Sequence, residues 1–237
     1  MYEPVEARWR ALEANHLLLD GFHAVKHALR FGADVPLAVA TDRSAALGLV
    51  HDLAPDLAGR FEALLVQGPL GRLLPRVHPT GIAALAAYPM VTLPARREAP
   101  LVLLDNPRHL GNIGAVVRLA AGFGVTGVVT TGSVDPWNPS VVRAAAGLHF
   151  ATSVGRVAAP PPGPLFVLDP AGADIRSVTF PDDAVLAFGS ERHGVSAGVR
   201  AAATQLVAIP MRAGVSSFNL ATSVAMALFH WSSTRSA

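Results

Sequence analysis

From Leu101 onward the chain alternates short apolar runs with helical stretches, and this alternation constrains its fold more tightly than any other feature. The runs "PLVLLD", "GVVTT", "FATSV", "PLFVLD", "AVLAFGS" and "QLVAIPM" are each bounded by Gly, Pro or Asp. They have strand rather than helix length, and helical segments separate most of them. Parallel strands need long crossovers between them, usually helical, so the pattern predicts an α/β fold with a parallel sheet covered on both faces. Ligands of such sheets bind beyond the carboxyl ends of the strands. The loops that follow the strands are therefore where chemistry is expected.

The first ninety-odd residues read as a separate, smaller α/β unit. "LLLDGFHAVKHALRFG" sets Phe22, Val25 and Leu29 at helical spacing and stops at Gly32. "VPLAVAT" reads as a buried strand, "SAALGLVHDLA" as a helix, "FEALLVQ" as the next strand and "GPLGRLLPRV" as a turn into a short helix. "GIAALAAYP" reads as a closing strand, with helix the alternative that its alanines leave open. Three prolines and a charge cluster in Pro89–Pro100 suit a linker. The expected division is residues 1–96 for the small unit with its linker and residues 97–237 for the parallel-sheet unit.

Three strand-end loops stand out. The first follows "LVLLD" and opens a helix at "GNIG", whose buried stripe is Ile113, Val116, Val117, Ala120 and Ala121. Arg118 lies off that stripe, and taken alone it reads as a solvent-facing arginine. The loop lacks both the GxGxxG dinucleotide spacing and the GK[ST] of a P-loop, which argues against nucleotide-dependent dehydrogenases and NTPases. The second loop, "GSERHGVS", holds Glu191 between Gly189 and Gly194, with Ser196 placed to cap a following helix. The third, "MRAGVSSFN", brings Ser217 and Asn219 to the mouth of a long apolar helix, where each also suits a cap. The coincidence of three glycine-bearing loops, all with polar side chains, points to one site.

Composition removes several classes. With no cysteine there is no disulfide, thiolate nucleophile or cysteine-based metal site. The nine histidines show no ligand-like spacing, and no metal is expected. No signal peptide is visible in the charged first thirty residues, and no run of apolar residues is long enough to span a membrane, so a cytoplasmic location is expected. The net charge is only +2, yet 18 of the 19 basic residues are arginine, the exception being Lys26. That choice suits RNA binding, and codon bias accounts for it equally well.

"NIGAVVRLAAGFG", "GSERHGVS" and "IPMRAGVSSFNLATSVA" resemble, in order and spacing, the three motifs of the SpoU (TrmH-like) RNA ribose 2′-O-methyltransferases of the SPOUT superfamily. "DPWNPSVVRAAAGLHF" resembles the segment these enzymes carry between the first two motifs, and the likeness runs from about Leu101 to Trp231. The N-terminal unit more loosely resembles the family's small RNA substrate-binding domain.

The resemblance implies a SPOUT domain whose C-terminal segment threads a deep trefoil knot, and S-adenosyl-L-methionine as the cofactor. It places Leu168, Gly189, Ile209, Met211 and Phe218 around that cofactor, and Asn112, Arg118, Glu191, Ser217 and Asn219 in catalytic positions. This chain has Phe218 where the family usually has leucine, Ala145 where a serine is common, and His230-Trp231 where the last helix often ends in glutamate. A guanidinium hardly deprotonates, so Arg118 is expected to hold phosphate or developing negative charge rather than act as base, with Asn112 and Glu191 fixing its fork. The partners implied are structured RNA, ribosomal ahead of transfer RNA, and a second copy of the chain in a homodimer, with no membrane and no metal. A non-catalytic RNA-binding or assembly protein on the same fold is the alternative that this polar set argues against.

Overall fold

The computed structural model describes residues 3–90 and 92–235, and the chain divides into two compact units. The first comprises Met1–Met90 together with Ala146–Ala151, and the second Val91–Ala145 with Thr152–Ala237.

The first unit has the helices α1 (Glu3–Glu13), α2 (Phe22–Arg30), α3 (Arg43–Leu53), α4 (Ala58–Leu64) and α5 (Leu70–Leu73). Its strands are β1 (Leu17–Asp20), β2 (Leu37–Ala40), β3 (Leu65–Gln67) and β4 (Ile82–Ala86), in the order β1-β4-β2-β3. β4 runs antiparallel to both its neighbours, while β2 and β3 are parallel. Trp9, Leu37, Val39, Leu70 and Leu85 form one buried cluster, and Phe22 stacks on Phe61 elsewhere in the core. "FEALLVQ" is only in part a strand. Its first four residues finish α4 with Phe61 buried, and pairing with β2 begins at Leu65.

The segment 146–151 joins this unit through α2. Gly147, at φ +72°, sits so close to the Ala24 backbone that a Cβ there would lie 2.5 Å from the Ala24 carbonyl oxygen. The His27 Nδ1–H donates to the Ala146 carbonyl at 2.7 Å. Burial pushes the His27 imidazole below its ordinary value. The Ala146 carbonyl opposes that shift, and the charges of Lys26, His23 and Arg30 reinforce it.

The second unit is built on β5 (Leu101–Leu104), β6 (Gly127–Thr130), β7 (Ser153–Arg156), β8 (Leu165–Asp174), β9 (Val185–Phe188) and β10 (Gln205–Ala208). All pairs are parallel, in the order β10-β8-β9-β5-β6-β7. Each of the six apolar runs read from the sequence overlaps one of these strands, although "FATSV" gives only Ser153 and Val154 to β7, its Phe150 closing a 3-10 turn, and β8 runs on past "PLFVLD" to Asp174. β5, β6 and β9 are buried along their whole length. The helices are α6 (Leu110–Phe123), α7 (Pro139–Ala144), α8 (Ala197–Ala201) and α9 (Leu220–Thr234). α6 ends at Gly124 in the left-handed conformation, the usual glycine stop. Its buried residues match the expected stripe except that Ala121 is only partly buried and Gly114 is added. A Cβ on Gly114 would meet Ala144 Cβ at 2.5 Å and the Val141 carbonyl at 2.6 Å, so α7 packs directly on α6 backbone.

The boundary between the units differs from the one expected at residue 96. It falls after Met90. Arg97, part of the charge cluster that suits a linker, is instead buried in the second unit, its guanidinium donating to the Pro162 and Asp183 carbonyls.

β8 is interrupted in a way that matters for the site. Leu206 of β10 pairs with Val167, and the next residue, Val207, pairs with Ala173. Leu168–Gly172 therefore stand out from the sheet as a hoop at the carboxyl end of the strand. Gly172 permits this, since a Cβ there would lie 2.3 Å from the Val207 nitrogen.

Candidate active site

The loops after β5, β9 and β10 and the β8 hoop enclose a cavity of about 680 Å³ in the second unit. Each loop is shaped by a local device. After β5 the chain enters α6 with His109 as the capping residue, whose side chain makes no capping bond. After β9 the chain doubles back on itself. Ser190 and Gly194 exchange backbone hydrogen bonds at 2.9 and 3.0 Å, and a Cβ on Gly189 would lie 2.0 Å from Gly194. The loop ends at Ser196, which caps α8 by accepting from the Val199 N–H. After β10, Asn219 caps α9, its Oδ1 accepting from Ala221 and Thr222 N–H groups.

Glu191 lies at the centre of the polar network. Its Oε1 accepts from Asn112 Nδ2 at 2.8 Å and from the His109 N–H, and its Oε2 accepts from the Arg108 N–H. Asn219 Nδ2 donates in turn to Asn112 Oδ1 at 3.2 Å. One carboxylate thus caps α6 from another loop, and Asn112 relays its grip to Asn219. Burial pushes the Glu191 carboxyl up, but the hydrogen bonds from Asn112 and from the N–H groups of Glu191, Arg108 and His109 outweigh it and hold the group below its ordinary value.

The cavity is lined by Asn112, Glu191, Ser217 and Asn219 and by Leu168, Gly189, Ile209, Met211 and Phe218. Arg118 is not among these residues. It lies six residues after Asn112, which on a helix is about 240° around and ~9 Å along the axis. It is exposed, and Asn112 and Glu191 bond to each other rather than to its fork. The expected clamp on Arg118 is therefore absent within this chain among the described residues.

Sequence reasoning missed several residues. His109, Arg192 and Asp169 also line the cavity, Asp169 being held by Arg200. Asp105, 5% exposed, binds Thr131 and the Ser196 N–H from the end of β5. Its position at a strand terminus was the available signal.

The cavity suits an amphipathic nucleoside such as S-adenosylmethionine. Leu168, Phe188, Val207, Ile209, Met211 and Phe218 supply an apolar wall, serine and asparagine side chains interrupt it, and the volume is that of a small-molecule site. Gly189 keeps that wall free of a side chain where backbone is packed most closely.

Known proteins share this fold. A SpoU methyltransferase of Streptomyces viridochromogenes, solved with AdoMet, superposes with a TM-score of 0.78 at 24% identity, covering 96% of each chain. An AdoMet-bound rRNA methyltransferase of Sinorhizobium meliloti gives 0.75 at 23% identity over 98% of this chain and 96% of its own. These two likenesses concern the fold. In sequence, the chain is 28% identical to an uncharacterized tRNA/rRNA methyltransferase of Synechocystis over 92% of its own length and 84% of that protein. It is 28% identical to the 23S rRNA (uridine(2479)-2′-O)-methyltransferase of Streptomyces viridochromogenes over 75% of this chain and 64% of that one. It is 36% identical to the mouse mitochondrial rRNA methyltransferase 3 over 56% of its length, but spans only 33% of that protein. The family model of the SpoU rRNA methylases matches residues 99–229, more than half of the chain and the whole stretch that carries the three loops. The chain belongs to the SpoU rRNA methylase family.

Proposed function

We propose that this protein methylates a ribose 2′-hydroxyl of ribosomal RNA, using S-adenosylmethionine. The observation that carries the reading is the Glu191–Asn112–Asn219 chain of hydrogen bonds bordering an apolar, nucleoside-sized cavity at the carboxyl ends of parallel strands. Relatives named for 23S rRNA 2′-O-methylation favour ribosomal over transfer RNA. Each of the three loops also carries an exposed arginine, Arg108, Arg192 or Arg212, which suits contact with RNA phosphates around the site.

Bound in the cavity, S-adenosylmethionine supplies an electrophilic methyl group. The chain's own residues align the acceptor. The Asn112 and Asn219 amides are held by Glu191 and the α9 cap, so they present fixed donors and acceptors to a ribose. Leu168, Ile209, Met211 and Phe218 hold the cofactor's apolar parts and exclude water.

Arg118 acts, on this reading, in the site of a second copy of the chain, so the active form is a homodimer. Its exposure and its place on α6 away from its own cavity support this. The deep trefoil knot belongs to the same reading, supported by the likeness to SpoU folds and by the close seating of Gly172 against β10. Residues 1–96 serve as the RNA substrate-binding part, and the enzyme works in the cytoplasm, where its RNA is assembled.

The test is transfer of tritiated methyl from S-adenosylmethionine to ribosomal RNA, followed by mapping of methylated riboses. Incorporation at a ribose 2′ position supports the proposal, and label found on bases or on no RNA overturns it.

A further inference from the structure

We propose that Asp105 is the positioning residue of the active-site loop, one side chain and one backbone group bracketing Gly189–Val195 from both ends. Its backbone N–H donates to the Phe188 carbonyl at 2.8 Å, immediately before Gly189. Its carboxylate Oδ2 accepts from the Ser196 N–H at 2.6 Å, immediately after Val195. Oδ1 accepts from the Thr131 hydroxyl at 2.7 Å, and Thr131 Oγ1 accepts from the Asn106 N–H at 2.9 Å. Asp105 is therefore buried, aimed and held by the β6 end while it fixes the β9 loop.

The geometry closes a ring. The bracketed loop carries Glu191, which reaches back to Arg108, His109 and Asn112, only three to seven residues beyond Asp105. The loop is braced internally by the Ser190–Gly194 backbone pair, which ties its two arms together. Its position is set at its two ends and at Glu191. A buried carboxylate that satisfies a backbone N–H from a residue 91 positions away is replaced poorly by an apolar group, because that N–H would be left without a partner. Loosening the bracket shifts both the Gly189 wall of the cavity and the Glu191 grip on Asn112.

This inference rests on the reading of Glu191 and Gly189 as parts of the site, and the experiment separates the two. Asp105→Asn, Asp105→Leu, Thr131→Val and, as control, Glu191→Ala are compared. Each is measured for S-adenosylmethionine affinity by calorimetry, single-turnover methyl transfer to ribosomal RNA at saturating cofactor, and thermal midpoint. The asparagine amide can still accept from the Ser196 N–H and donate to Thr131, so Asp105→Asn retains most of both functions. Asp105→Leu weakens cofactor binding and slows transfer by about tenfold or more each, the scale of a lost hydrogen bond to a charged group. Thr131→Val, which loosens the carboxylate without removing it, gives losses of several-fold in both and keeps the proposal testable if the leucine variant does not fold.

A lowered midpoint with unchanged affinity and rate in Asp105→Leu or Thr131→Val overturns the proposal, and so does an Asp105→Asn variant as impaired as Asp105→Leu. If Glu191→Ala transfers methyl normally, the reading of the site falls. If Glu191→Ala is slow while Asp105→Leu is normal, the positioning role alone falls.

Discussion

Asn112 and Glu191, 79 positions apart in sequence, meet at 2.8 Å and join the first turn of α6 to the loop after β9. Glu191→Ala removes the acceptor for that amide and for two backbone N–H groups at the α6 terminus. Losing a hydrogen bond to a charged group costs about 1.5–3 kcal/mol, so methyl transfer slows by about ten- to a hundredfold. Single-turnover kinetics at saturating S-adenosylmethionine check it. The loss appears in the rate more than in cofactor affinity, because Glu191 holds Asn112.

Arg118 gives a prediction that depends on two chains. Arg118→Ala, at an exposed position, changes stability by less than about 0.5 kcal/mol, measured by denaturant unfolding. Alone it slows transfer by about ten- to a hundredfold, as does Glu191→Ala. Co-refolding the two impaired variants raises the rate above that of either one, since a mixed dimer holds one site with both residues intact. With random pairing, roughly a quarter of sites recover. No recovery on mixing sinks the shared site, and sedimentation of the wild type as a monomer does the same.

Gly189→Ala tests the cofactor wall. A Cβ at Gly189 falls 2.0 Å from Gly194 and 2.2 Å from the Val195 nitrogen, all backbone that cannot swing aside. Overpacking of this kind costs about 1–3 kcal/mol. The expected result is S-adenosylmethionine affinity reduced by tenfold or more, read by calorimetry, with the sheet's circular dichroism unchanged.

His27 sets a pH dependence in the first unit. Its folded value is lowered by burial, so the folded state binds fewer protons than the unfolded chain. The stability it contributes is present in full above the ordinary histidine value and is lost as pH falls through the lowered folded value. Thermal midpoints therefore decline as pH drops below about 6.5, the ordinary imidazole value. His27→Gln flattens that part of the curve.

Strand content in the second unit was legible because most strands are short apolar runs closed by Gly, Pro or Asp; each of the six runs overlaps a strand, with β7 displaced toward Arg156 and β8 extended to Asp174. Asn219 was legible as a cap, and it caps α9 while bonded to Asn112 in the cavity lining. What the sequence hid was long-range partnership. Glu191 pairs with Asn112, not Arg118, because helical rotation separates the two α6 residues, and that follows only once the helix and its neighbours are placed. Arg97 read as part of a linker's charge cluster, but its carbonyl partners lie 65 and 86 residues away. The return of 146–151 to the first unit likewise depends on the close contact of Gly147 with Ala24, which no periodicity encodes.

The hoop at Leu168–Gly172 separates two properties that a parallel sheet usually couples. On either side of it β8 keeps its pairing with β10, Val167 to Leu206 and Ala173 to Val207. The hoop lies between two fixed pairings, and its Leu168, Asp169 and Pro170 line the cavity. The residues that shape the ligand's space are thus set apart from the hydrogen-bond ladder that holds β8 to β10.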